Sequence, residues 1–123
     1  MKFAPMNYHY LRYPIKKFLD KVERSPFNSI DLYCSAPQLN LFDYPLLRLI
    51  ELKKEIEAHH LSVMAMTPEN CVYPVNFCTQ DDLTRESSIR YYQRAIDTAQ
   101  FLDCPCVQIS TGSVSYTHLR AHE

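Results

Sequence analysis

The chain has 123 residues, of which 46% are hydrophobic and 22% charged, with a formal net charge of −1. That balance supports a buried core and excludes both a disordered polymer and a basic chain steered onto nucleic acid or an anionic membrane. No apolar run is long enough to span a bilayer and the N-terminus lacks a signal-peptide pattern, so a cytoplasmic location is expected.

Taken in chain order, residues 2–6 carry the least of a strand pattern and are expected to form a short first strand. Pro14 opens a helix whose apolar stripe is Ile15, Phe18, Leu19 and Val22. Residues 28–34 (NSIDLYC) read as the next strand. Asp43 is placed to cap a helix with Pro45 at its first position, and Leu46, Leu49, Ile50 and Ile56 give that helix an apolar face running to His59. Leu61, Val63, Ala65 and Met66 then form an apolar strand that suits burial on both faces. A loop rich in polar and turn-forming residues follows, 67–76 (TPENCVYPVN). Ile89, Tyr92, Ile96 and Ala99 recur at helical spacing in a third helix that ends near Leu102, and 106–110 (CVQIS) reads as a fourth strand. Tyr91 and Tyr92 are expected to pack inside.

The alternation β-α-β-α-β-α-β predicts a parallel sheet with right-handed crossovers. Loops leaving the carboxyl ends of such strands carry the binding chemistry, which points to 67–76. Strand order separates the two architectures that this pattern allows. An order of 1-2-3-4 around a curved sheet means a barrel, and reversal after the first strand means a doubly wound sheet.

The turns after the helices need residues that tolerate positive φ, yet the only glycine is Gly112. Asn28, His60 and Asp103 are the expected substitutes. The His59-His60 pair therefore reads as a helix end rather than as metal ligands. Five cysteines (Cys34, Cys71, Cys78, Cys104, Cys106), an odd number with no C-x-x-C pair, predict reduced and mostly buried thiols. No Gly-rich phosphate cradle is present, so no nucleotide cofactor is expected. The lysine-bearing faces at Lys16, Lys17 and Lys21 and at Lys53 and Lys54 are solvated surfaces.

Residues 114–123 (VSYTHLRAHE) continue neither a helical nor a strand period. They resemble the translated read-through of a transposon sequencing adapter, and Ser113 is compatible with the same origin. The expected organisation is a native segment, 1–112, and a non-native tail, 113–123, whose His118, Arg120, His122 and Glu123 are left out of any site.

With the tail set aside, IDLYCSAPQ (30–38), TPENCVYPVN (67–76) and RESSIRYYQRAIDTAQFLDCPCVQIS (85–110) resemble the sugar-phosphate isomerase/epimerase group of xylose-isomerase-like TIM barrels. Within that group they look most like the fructoselysine 3-epimerase branch, which carries a T-P-E-x-x-x-Y-P-x-N segment. The resemblance covers nearly all of 1–112. It implies an α/β fold, the N-terminal half of a (β/α)8 barrel with about four parallel strands and three helices in a curved open sheet. It implies a divalent metal, commonly Mn²⁺, held by two Glu, one Asp and one His in the second half. No catalytic or metal residue is therefore expected in this chain. The implied reaction removes a proton α to a ketose carbonyl and returns one on the opposite face.

The resemblance leaves this chain the substrate-facing wall. Asn7, Gln38, Thr67, Glu69, Tyr73, Asn76 and Ser110 would lie around the mouth at strand ends and offer donors and acceptors to the hydroxyls of a sugar or sugar phosphate. Gln38 departs from the branch, which often has His after Ala-Pro; an amide neither titrates near neutral pH nor ligates metal as imidazole does. The implied partners are the small substrate and, for the parent protein, a second copy in a homo-oligomer, with no nucleic acid and no membrane. Two other classes stay open: a metal-dependent abasic-site endonuclease relative, and a non-catalytic α/β module that binds a sugar or a protein.

Overall fold

The computed structural model describes residues 1–70 and 75–111. A 3₁₀ turn (Asn7–Tyr10) is followed by α1 (Ile15–Glu23), β1 (Ser29–Cys34), α2 (Leu46–Ala58), β2 (Ser62–Pro68) and α3 (Asp82–Phe101). β1 and β2 pair in parallel. The predicted outer strands are reduced to single parallel bridges, Met6 to Asp31 on one side and Met66 to Val107 on the other. Three backbone bonds hold them: Asp31 N–H to Pro5 O, Met66 N–H to Cys106 O and Gln108 N–H to Met66 O. The spatial order is thus 1-2-3-4, the order of a barrel segment, and no strand reverses past the first.

One face of the sheet makes the core. Ile30, Leu32 and Cys34 alternate into it from β1, and Val63 and Met66 enter it from β2, opposite Ile30 and Leu32. Val63 and Met66 are three residues apart, an odd spacing for one face of a strand. A register shift opposite Ile30/Asp31 absorbs the extra residue, as a bulge does. Ala65 therefore pairs with half-buried Asp31 on the other face. Burial of β2 on both faces is corrected to burial on one.

α1 buries Ile15, Phe18, Leu19 and Val22, the predicted stripe. α2 begins behind Pro45 with no side-chain cap, so Asp43 does not serve as one. Its buried stripe is Leu49, Leu52 and Ile56. Leu46 stays exposed in the first turn beside an open hollow formed with Phe42, Tyr44 and Phe101. α3 is rotated from the expected face by about one residue. Ser88, Tyr91, Tyr92, Ala95, Thr98 and Ala99 are buried, whereas Ile89 and Ile96 are exposed. Two hydroxyls make that rotation tolerable, since Ser88 donates to Thr84 O and Thr98 to Arg94 O one turn back.

The turns after α2 and α3 use His60 at φ 57° and Asp103 at φ 56°, as predicted, but Asn28 needs no positive φ. The four cysteines within the described residues are free thiols, and only Cys34 is fully buried; Cys78 and Cys106 are exposed, against the expectation of mostly buried thiols. Burial pushes the Cys34 thiol far up, so it packs as a small apolar group.

Leu52 is fully buried at the centre of the α2 stripe. Leu52→Ala should destabilise the chain by about 2–5 kcal/mol, read as a lower urea midpoint at unchanged slope. Leu46→Ala should leave the midpoint nearly unchanged.

Candidate substrate-facing wall

The carboxyl ends of the strands gather the polar side chains, and the first group is built on Asn7. Asn7 begins the 3₁₀ turn directly after the Met6 bridge and is fully buried. Its Oδ1 accepts from Tyr33 N–H at 2.7 Å, and its Nδ2 donates to Tyr33 O at 3.1 Å and to Gln38 Oε1 at 2.6 Å. The side-chain amide thus pairs with the backbone of β1 as a neighbouring strand would. Gln38, 3% exposed, sends its Nε2 to Tyr10 O and Tyr13 O, both at 2.8 Å. The amide donors of both residues are used within the protein. Both therefore shape the rim.

A second group stands on the face opposite the core. Thr67 Oγ1 donates to Asp31 Oδ1 at 2.8 Å, and the Gln108 carboxamide oxygen lies 3.2 Å away. Asp31 and Thr67 are half-buried and Gln108 is exposed. The three come from β1, β2 and the segment after α3, and together they form a polar rung across the sheet.

Glu69 follows β2 by one residue and is 5% exposed. Its N–H donates to Cys34 O at 3.1 Å, its carbonyl accepts from Tyr91 Oη at 2.6 Å, and its carboxylate accepts from Tyr33 Oη. β1 and α3 therefore hold it from both sides. The Tyr8 ring, half exposed, meets Tyr33 edge-on with centroids 5.0 Å apart.

The remaining sequence-predicted residues stand elsewhere. Asn76 forms a local turn, its Oδ1 accepting from Cys78 N–H at 2.8 Å, while its own N–H donates to Ser88 Oγ at 2.8 Å. Ser110 N–H donates to Tyr92 Oη at 3.1 Å. Both are thus anchored to α3. Tyr73 lies outside the described residues, as does the tail 113–123.

Sequence reasoning missed Asp31, Tyr33 and Gln108. The signal was present: in NSIDLYC the alternation sends Ile30, Leu32 and Cys34 to the core, which leaves Asp31 and Tyr33 on the other face. Among the described residues, the strand ends bring together no three His, Cys, Asp or Glu donors. A concavity of about 870 Å³ opens at the opposite end of the strands, among Ser29, Ser62, His60 and Asp103. In a β/α barrel that end serves stability, and the carboxyl end serves chemistry.

Asn7→Ala would remove three buried hydrogen bonds, to Tyr33 N–H, Tyr33 O and Gln38 Oε1. A loss of about 2–4 kcal/mol is expected in urea unfolding. Thr67→Val, on the half-open face, should cost under about 1 kcal/mol in the same measurement.

A family model described as xylose isomerase-like TIM barrel matches residues 19–122. The matched span runs through the tail and does not set it apart from the rest. No curated protein matches the chain. No described helix is long and apolar enough to cross a membrane.

Proposed function

The chain belongs to the xylose isomerase-like TIM barrel family, and on that premise we propose that it is the N-terminal half of a metal-dependent sugar or sugar-phosphate epimerase or isomerase. The family includes sugar isomerases and epimerases as well as abasic-site endonucleases. The observation that carries the sugar reading is the Asp31-Thr67-Gln108 rung beside the Tyr33-Glu69 pair at the carboxyl ends of strands ordered 1-2-3-4. A wall of hydroxyl, carboxamide and carboxylate groups suits a polyol. The net charge of −1 gives no support to a DNA-facing surface.

The metal that the resemblance implies would be held by residues of the second half, and among the described residues no three suitable donors converge at the strand ends. In the parent protein, proton transfer α to the ketose carbonyl belongs to carboxylates of the second half, and this half binds and orients. Thr67 and Gln108 are placed to hydrogen-bond substrate hydroxyls, with Asp31 fixing the Thr67 hydroxyl. Glu69 and Tyr33 hold the mouth in shape. Gln38 spends its amide on the rim where the fructoselysine 3-epimerase branch often has His, so membership of that branch rests on the 67–76 and 85–110 segments alone. A cytoplasmic homo-oligomeric parent and an adapter-derived tail belong to the same proposal.

Resequencing the source DNA across the Gly112 codon tests the premise. A frame continuing into strands that end in Glu, Asp and His supports the reading, and a natural stop after Glu123 turns it toward a binding module. In the full-length product, Thr67→Val should raise KM for the ketose by about tenfold with kcat nearly unchanged, the signature of a lost ground-state hydrogen bond. Nicking of abasic DNA without ketose turnover would replace the epimerase reading with the endonuclease one.

A further inference from the structure

Both nitrogens of the His59 ring face oxygens that only accept. Nδ1 lies 2.6 Å from the Glu55 carbonyl oxygen and Nε2 lies 2.7 Å from Asp20 Oδ1. A neutral imidazole has one N–H and satisfies one of the two, setting a lone pair against an oxygen at the other. The imidazolium satisfies both. The side chain is only 10% exposed, so water has little access to replace either partner.

From these contacts we propose that His59 is a proton-operated latch which, when charged, fastens the C-terminal cap of α2 to Asp20 of α1 and, when neutral, releases one of its two contacts. The latch bridges elements 39 residues apart in sequence. It sits at the turn into β2, one residue before His60 takes its positive φ. Release would loosen the α1–α2 seam where that strand begins.

The charged groups that face the ring favour its protonation. Asp20 and Glu23 stand on α1, and Lys16 shares Asp20 with its Nζ 2.9 and 3.1 Å from the two carboxylate oxygens. From α2 comes the Glu55 carbonyl. His59 is held above its ordinary 6.5 by the Glu55 hydrogen bond first, against burial, with Asp20 and Glu23 adding to the rise. Asp20 is held below its ordinary 3.8 by its hydrogen bonds to Lys16 and then to His59. A raised folded-state pKa means that the His59 contribution is complete below pH 6.5 and is lost as pH climbs through the folded value. The Asp20 contribution is complete above 3.8 and is lost as pH falls through its own folded value.

The test is an NMR titration of the His59 ring in the 123-residue chain, with Asp20→Asn alongside and melting curves of wild type and His59→Gln from about pH 5.5 to 9. The expected result is a wild-type midpoint above that of an unstructured histidine, lowered in D20N. Wild type should melt about 2–4 °C above H59Q at the acid end and equal to it at the alkaline end. A midpoint at or below the unstructured value, or an H59Q deficit constant with pH, would overturn the latch. If H59Q does not fold, the D20N titration decides the matter.

Discussion

The register of β1 against β2 is the constraint on which the rest depends. Ile30 opposite Val63 and Leu32 opposite Met66 put four large side chains on one face, and a single extra residue between Val63 and Met66 makes this possible. Without that shift, the period-2 pleat would turn either Val63 or Met66 away from the helices. All three helices bury their stripes in the core that this face anchors. The same shift sends Asp31, Ala65 and Thr67 to the opposite face, where the polar rung forms. Core and candidate site are two consequences of one pairing.

The second consequence is how the sheet is finished where strand pairing runs out. The first strand contributes one bridge at Met6, and beyond it the backbone enters a 3₁₀ turn. Tyr33, deeper into β1, would then have an N–H and a carbonyl with no strand beside them. The Asn7 side chain supplies both an acceptor and a donor to that peptide, and Gln38 takes its remaining donor. A buried amide pair is stable only when every member is satisfied, because each unpaired group costs about 1–3 kcal/mol. Here no described buried side-chain nitrogen or oxygen lacks a partner. The rim is consequently held by the protein's own hydrogen bonds, the pre-organisation on which orienting a ligand with few contacts depends.

Much of this was legible in the sequence, and the exceptions have physical causes. The α1 stripe and the positive φ at His60 and Asp103 followed from local periodicity and turn chemistry. α3 misled because Ile89 and Ile96 are more apolar than Ser88 and Thr98, yet the latter pair lies on the buried side with Tyr91, Tyr92, Ala95 and Ala99. A hydroxyl bonded one turn back costs little to bury, which no hydrophobicity pattern reveals. The fourth strand was found in position but not in extent, since it pairs with β2 around one residue, Met66. Asn7 and Gln38 were expected to meet substrate near strand ends; the structure ties them to each other and to the backbone instead, through a bond that spans 31 positions and that no local pattern encodes.

The wall therefore divides by chemistry. Asn7, Gln38 and Glu69 are buried, and their bonds run to β1, to the loop before α1 and to α3, so removing any of them disturbs architecture first. Thr67 and Gln108 sit on the uncovered face, and Asp31 beside them accepts the hydrogen bond of the Thr67 hydroxyl. A hydroxyl whose proton is already committed presents its lone pairs outward, and a carboxamide presents both a donor and an acceptor. Together they present donors and acceptors side by side on the uncovered face. The buried amides set the frame, and the half-open rung is the part of this wall whose polar groups stay accessible.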